Sequence, residues 1–379
     1  MGTQPSSHEE AMVNDNVRFA LGGTGVRIID QRQLPNRLEH LTLSTPQECF
    51  DAIATLAVRG APAIGIFCAH ALAVLVPQLP AQDFPQLQAG ARELADYLVS
   101  SRPTAVNLHW AAERMMRVVD AHAPGGQGEG GTVADASSAG VAAADAWPQV
   151  RERLYRSLRA EALAIRAEDA AACKAMAEHG LSLLEDGDGV VPHCNAGPLV
   201  SSQYGTALEP LILGTERDMT FHVFADETRP LLQGARLTAY ELHQAGVDVT
   251  VMCDNMASVV MGQGRVQACI VGADRVAANG DVANKVGTNG LAIVAAHYGV
   301  PFYVVCPTST IDPACATGAD IPIELRDPDE VGLKYFAEPV VPEGVSCFNP
   351  SFDVTDHSLV TAIVTEQGIF RAPYSFDDE

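Results

Sequence analysis

Basic residues are scarce in this chain of 379 residues: 24 Lys and Arg stand against 47 Asp and Glu, a net charge of -23. That deficit disfavours long contact with a nucleic-acid backbone or an anionic membrane surface, so neither partner is expected. It also makes each Arg or Lys inside a motif more informative, because an acidic protein binds phosphate only where its few bases converge. Aromatic residues are few as well, 6% against a hydrophobic fraction of 47%. The chain is therefore built on Ala, Val and Leu and lies far from the composition of disorder. The nine Cys include no C-x-x-C pair and no zinc-like spacing, and most sit in apolar runs such as VVCP and QACIVG. Reduced thiols in the cytoplasm are expected, with no disulfide framework and no metal. The polar start MGTQPSSHEE lacks the pattern of a secretory leader, and no segment reads as apolar for long enough to span a bilayer. No G-x-G-x-x-G opens a helix after a strand, which disfavours a nicotinamide-dependent redox enzyme.

The length suits two domains. Residues 1–148 read as a small, mainly helical domain: strands and turns in IIDQRQLPNRLEHLTLS, then helical patterns over Pro46–Val76, Phe84–Val99 and His109–His122. Within it, residues 124–148 are Gly-, Ala- and Ser-rich and read as a flexible surface insertion. A connecting region, 149–188, carries an amphipathic helix from Gln149 to His179 that ends at Gly180. From Gly189 to the C-terminus, short apolar runs alternate with helical stretches: GVVPH, FHVFAD, VDVTVMCD, QACIVGAD and PFYVVCP. This alternation predicts an α/β fold with a doubly wound, Rossmann-like parallel sheet. Most runs end in a polar residue (His193, Asp226, Asp254, Asp274), and in open sheets of this kind ligands bind beyond the carboxyl ends of the strands.

Four segments carry chemistry. In VPHCNAGPLVSSQYGTAL a strand runs into Cys194, ahead of a helix-like stretch whose dipole would favour a thiolate. A buried, inert thiol is the alternative there. In QACIVGADRVAANGDVANKVGTNG, Asp274 follows a strand into a loop rich in Gly, Asn and Asp, where it is either a general acid with its pKa raised by burial or a helix cap. Lys285 in the same loop suits a phosphate. Arg59 precedes Gly60 and Ala61, small residues that let backbone N–H groups approach an anion, and Arg102 precedes a Pro-initiated helix. In DETRPLLQGARLTAYEL, Gln233 is a further polar candidate, while Arg229 and Glu227 pair structurally or line a site.

Taken in order, RGAPAIG, SRPTAVNL, HCNAG, DETRPLLQGARLTAYEL, GADRVAANGDVANKVGT and NPSFDVT, spread from Arg27 to Phe370, resemble the methylthioribose-1-phosphate isomerase family. These aldose-ketose isomerases share their fold with ribose-1,5-bisphosphate isomerases and with regulatory subunits of the guanine-nucleotide exchange factor of translation initiation. The resemblance implies a homodimer without a cofactor, acting on a small-molecule sugar phosphate. It also implies Cys194 and Asp274 as the catalytic pair, and substrate contacts at Arg59, Gly60, Ala61, Arg102, Gln233, Asn284 and Lys285. The sequence departs from the family pattern at Asn289, Asp356 and His357, which leaves the group at sugar C5 open among methylthio, deoxy, hydroxyl and phosphate. No second cationic cluster for a C5 phosphate is visible. A noncatalytic regulatory subunit is the reading from another class, and it has no chemical need for Cys194, Asp274 and the basic residues together.

Overall fold

Apolar runs that alternate with helices form the expected layers in the computed structural model, which describes residues 16–376 apart from 104, 124–141 and 202. The chain divides into two units, one formed by Asn14–Ala170 with Leu199–Gln203, the other by Ala171–Pro198 with the chain from Tyr204 onward.

The first unit begins with an antiparallel sheet of β1 (Val17–Phe19), β2 (Val26–Ile29) and β3 (His40–Leu43). Four helices follow: α1 (Pro46–Ala54), α2 (Ala61–Leu75), α3 (Phe84–Val99) and α4 (Val106–Asp120). Thr45 and Glu48 close a reciprocal capping box on α1, and the Asp83 carboxylate accepts from the Gln86 N–H on α3, so two of the starts are set by local side chains. The expected Pro46–Val76 helix is interrupted at Thr55–Gly60, where Leu56 and Gly60 take positive φ. Every residue of α2 from Ala63 to Leu75 is buried. This corrects the expectation about long apolar runs: Ala61–Gln78 is long and apolar enough to cross a membrane, with mean hydropathy 1.6, yet 78% of it is buried inside the protein. Its hydropathy is that of a core helix.

The long helix α5 runs from Ala142 to Leu181 and contains Pro148. It starts before the expected Gln149, so the end of the 124–148 segment is helical; residues 124–141 of that segment lie outside the described residues. The change of unit falls within α5, at Ala170.

The second unit is built on a seven-stranded sheet. Its strands are β4 (Gly189–His193), β5 (His222–Asp226), β6 (Asp248–Met252), β7 (Ala268–Val271), β10 (Phe302–Val305), β13 (Ala362–Thr365) and β14 (Gly368–Phe370). The order across the sheet is β6-β5-β4-β7-β10-β13-β14, parallel throughout except for the antiparallel β14. This is the doubly wound α/β fold. Its winding reverses between β4 and β7, the switch point at which such sheets bind ligands. Helices α6 (Glu209–Glu216), α7 (Ala239–Gln244), α8 (Ala257–Gly262) and α9 (Thr288–Tyr298) connect the strands, and a short α10 spans Asp329–Gly332. Two apolar clusters, one containing Val190, Val223, Ile270 and Val305, the other Val191, Phe224, Cys269 and Val304, bury alternate residues of the same strands. A second sheet, ordered β11-β8-β9-β12, comprises β8 (Arg275–Ala277), β9 (Val282–Lys285), β11 (Ile311–Asp312) and β12 (Phe352–Thr355).

Candidate active site

Strands β4 and β7 are parallel neighbours with His193 opposite Val271, so the residues that follow both strands emerge side by side at the switch point. The next residue on β4 is Cys194, half-buried, with φ of 62°. A non-glycine residue in that region is uncommon and points to a functional constraint. The conformation is held at both ends of the residue. The Cys194 N–H donates to Thr228 Oγ1 at 3.0 Å, and the Cys194 carbonyl accepts from Thr238 Oγ1 at 2.6 Å. Thr238 closes a π-helical turn, Gly234–Thr238, ahead of α7, an element that recurs at functional sites.

Thr228 is itself at φ 60°, an outlier for a β-branched residue. Asp254 holds it there, accepting the N–H groups of Thr228 at 2.6 Å and Arg229 at 2.8 Å. The Thr228 hydroxyl donates to Asp226 Oδ1 at 2.8 Å, and Asp226 Oδ2 accepts from His193 Nδ1 at 2.5 Å. His193 Nε2 donates in turn to the Val286 carbonyl at 2.9 Å. Both ring nitrogens thus face acceptors, an arrangement that only an imidazolium satisfies. Burial would push the His193 pKa down, but the Asp226 charge and hydrogen bond, the Val286 carbonyl and Asp254 outweigh it and raise it. His193 and Asp226 were expected to face one crevice; they are buried, 3% and 2% exposed.

Two expectations about Cys194 and Asp274 are corrected. The helix-like stretch after Cys194 is only a three-residue 3-10 turn, Pro198–Val200, so no long helix points its dipole at the thiol. Asp274 caps no helix either: the segment after β7 is the antiparallel hairpin β8–β9, and the Asp274 N–H donates to the Ala283 carbonyl at 2.9 Å. Asp274 is exposed.

The remaining candidates in this unit lie on ordered elements. Gln233 is buried directly before the π-helical turn, and its Oε1 has no hydrogen-bond partner among the described residues. Asn284, buried on β9, donates to Thr288 Oγ1 at 3.0 Å. Lys285 ends β9 with Nζ donating to the Ser351 carbonyl at 2.9 Å and stacked over Phe352 at 5.1 Å. Arg229 makes a different contact from the Glu227 pair considered for it: its guanidinium donates to the Val331 carbonyl at 2.6 Å and lies over Phe336 at 5.2 Å. In the first unit Arg59 and Gly60 directly precede α2, whose first turn begins at Ala61 and has no side-chain cap. Exposed N–H groups at a helix start beside an Arg suit an anion. Gly60 is required there twice over, by its φ of 96° and because a Cβ would come within 2.4 Å of Val200. Arg102 is half-buried in the turn before α4, and Pro103 lies in that turn rather than at the helix start.

Sequence reasoning missed three acids. Glu241 on α7 is buried, accepts from Asn195 Nδ2, and would be struck by a Cβ at Gly197. Glu209, at the start of α6, accepts from the Gly205 N–H at 2.9 Å, and burial raises its pKa to about 7. Asp353, raised by burial, accepts the N–H groups of Gly287 at 2.7 Å and Asn289 at 3.1 Å and so caps α9 from a neighbouring strand. A Glu between apolar residues in TAYEL was the one available signal. Two groups have metal-like spacing, His193 with Asp226 and Asp254, and Asp281 with Asp356 and His357. In the first, both imidazole nitrogens are already spent as donors. In the second, Asp281 accepts from Asn279, Gly318 and His357. Both are hydrogen-bond clusters in which protein donors take the place a cation would need.

Known proteins are similar to this chain over nearly its whole length. A methylthioribose-1-phosphate isomerase of Symbiobacterium thermophilum is 53% identical over 353 residues, 93% of this chain and 92% of the relative. A 5-deoxyribose 1-phosphate isomerase of Petrotoga mobilis is 50% identical over 347 residues, 92% of this chain and 93% of the relative. Among solved structures, 5-methylthioribose 1-phosphate isomerase from Pyrococcus horikoshii OT3 superposes with a TM-score of 0.83 at 36% identity, covering 97% of this chain and 96% of that one. Residues 57–372 match the Initiation factor 2 subunit family, and the chain belongs to that family.

Proposed function

We propose that this protein is a sugar-phosphate isomerase that converts 5-methylthioribose 1-phosphate to 5-methylthioribulose 1-phosphate in methionine salvage, without a cofactor. The observation that carries the reading is the placement of Cys194 and Asp274 after adjacent parallel strands at the switch point of the sheet.

An aldose 1-phosphate is locked as a cyclic acetal and cannot open spontaneously to an aldehyde. A group must therefore protonate the ring oxygen, and Asp274 is assigned that role. The hydrogen on C2 then moves to C1, either as a proton taken by Cys194 through an enediol or as a hydride that Cys194 steers. The proposed phosphate and sugar contacts are Arg59, Gly60, Ala61 and Arg102 in the first unit, and Gln233, Asn284 and Lys285 in the second. Gln233, with its buried amide oxygen, is suited to a ligand hydroxyl.

The protein is further proposed to be a cytoplasmic homodimer with no nucleic-acid or membrane partner. Leu325 and Phe348 are 67% and 80% exposed on two stretches joined by the Arg326 N–H to the Asn349 carbonyl, apolar surface that a second copy would cover. Sedimentation of the purified chain as a monomer would remove that element.

The isomerase reading is tested with purified protein and three substrates: the 5-methylthio, 5-deoxy and 5-phospho ribose 1-phosphates, with ketose formation followed by NMR. The methylthio sugar is expected to react best. Preference for the 5-deoxy sugar would move the assignment to the activity for which the Petrotoga mobilis relative is named. Cys194→Ser and Asp274→Asn should each lower kcat by about 10²–10⁴-fold with the fold intact. Ordinary turnover in either variant sinks its role, and a chain inactive on all three sugars that copurifies with a heteromeric partner is a regulatory subunit.

A further inference from the structure

We propose that Asp226 and Thr228 are positioning residues for Cys194: the Thr228 hydroxyl, aimed by Asp226, sets the left-handed backbone that points the thiol. This deepens the isomerase reading and rests on it. Asp226 touches no reacting atom. It is buried and both of its oxygens are engaged, one by Thr228 Oγ1 at 2.8 Å and the other by His193 Nδ1 at 2.5 Å.

The direction of the hydrogen bonds makes the relay specific. A carboxylate only accepts, so Thr228 must spend its single proton on Asp226, which leaves its lone pairs to receive the Cys194 N–H at 3.0 Å. Without the carboxylate the hydroxyl is free to rotate and turn its proton toward that N–H. One acid thereby fixes the residues on both sides of the strand end, the side chain of His193 and the backbone of Cys194. Thr228 cannot drift to follow a relaxing Cys194, because Asp254 holds the Thr228 and Arg229 N–H groups. Two residues with positive φ, Cys194 and Thr228, 34 positions apart in sequence, are thus clamped to each other at one strand end. Strain of this kind persists only where the surroundings over-determine it, and it concentrates at sites whose geometry matters.

The test is a set of substitutions read in two ways. Thr228→Val keeps shape and removes the hydroxyl; it should lower kcat about 10²-fold, the cost of misplacing a reacting group by about 1 Å, while KM stays within about twofold. Thr228→Ser restores the hydroxyl without the methyl and should recover turnover to within about threefold. Asp226→Ala removes both accepting oxygens and should match the valine variant. The double variant should fall no further than the worse single, because both remove the same link. The second reading needs no substrate: alkylation of Cys194 by iodoacetamide, followed on its own peptide by mass spectrometry, should change several-fold in Thr228→Val and return in Thr228→Ser. If Asp226→Ala does not fold, the valine and serine pair decides alone. Additive losses in the double variant, failure of serine to rescue, or wild-type alkylation in Thr228→Val would each overturn the proposal. A wild-type chain inactive on every sugar phosphate, with alkylation behaving as expected, would sink the isomerase reading and leave the positioning network standing.

Discussion

At the end of β4 both the N–H and the carbonyl of Cys194 are held by threonine hydroxyls, whereas at the end of β7 the Asp274 N–H is held by a cross-strand carbonyl. Cys194 has its N–H, its carbonyl and the side chain before it tied to Thr228, Thr238 and Asp226. Asp274 is exposed and enters a regular hairpin, its N–H donating across the strands to the Ala283 carbonyl. The backbone of Cys194 is therefore fixed by side chains from beyond the neighbouring strand, and that of Asp274 by the hairpin it enters. The difference extends to the acids around them. Glu209, beyond Cys194, is buried with one N–H donor and is pushed up to about 7. Asp281, at the hairpin, is also penalised by burial, but hydrogen bonds from Asn279, Gly318 and His357 outweigh that and hold it at about 2.

Gly234 offers the hardest blow to the β4 side. A Cβ there would lie 1.8 Å from the Asp226 carbonyl oxygen and 2.7 Å from Thr228 Oγ1. Gly234→Ala should cost about 1–3 kcal/mol and lower kcat about 10²-fold, measured by denaturant melts and turnover; wild-type activity would show that the strand end is looser than its bonds imply. The pH dependence of stability sharpens the contrast. Glu209 has a folded pKa above its ordinary 4.5, so the folded state binds the extra proton and stability falls as pH rises from about 4.5 to about 7. Glu209→Gln should remove that loss, a gain of about 1–3 kcal/mol at pH 8, read as a melting temperature that no longer declines across the window. Asp281 works in the opposite sense. Its depressed pKa stabilises the fold above 3.8, and the contribution disappears as pH falls toward about 2. Asp281→Asn should flatten stability only in that acid range. The smallest effect is expected at Gly290 on α9, where a Cβ meets nothing within 4 Å. Gly290→Ala should stabilise by about 0.5 kcal/mol and leave turnover unchanged.

Five strands of the large sheet (β4, β5, β6, β7 and β10) were legible because each is a short apolar run bounded by polar or small residues, β13 was not picked out, and Phe84–Val99 was readable as a helix from its period. The antiparallel β14 was not, since Gly368–Phe370 is too short to carry a pattern. The hairpin after Asp274 read as a loop because its Asn, Asp and Gly residues are those of turns, although β9 pairs with both β8 and β12. Cys194 and Asp274 could be singled out from their places after strands. The support of Cys194 could not: Asp226 and Thr228 come from the next strand, and the meaning of a Thr at positive φ is visible only once its hydrogen bonds are known. Burial of Glu209 in a segment containing Gly205 and Thr206 likewise leaves no periodic trace.

The short stretch Leu199–Gln203 bears on how the protein is made. Its Leu199 carbonyl accepts from the buried amides of Asn16 at 2.7 Å and Gln31 at 2.8 Å, and its Val200 lies against Gly60. A ribosome that has released only the first 170 residues has therefore not yet supplied the last piece of the first unit. Until that piece emerges, two interior amides lack this acceptor, at a cost of about 1–3 kcal/mol each. The first unit thus completes its fold only after β4 and Cys194 have been synthesised, so neither unit can be expressed whole by cutting the chain at a single point.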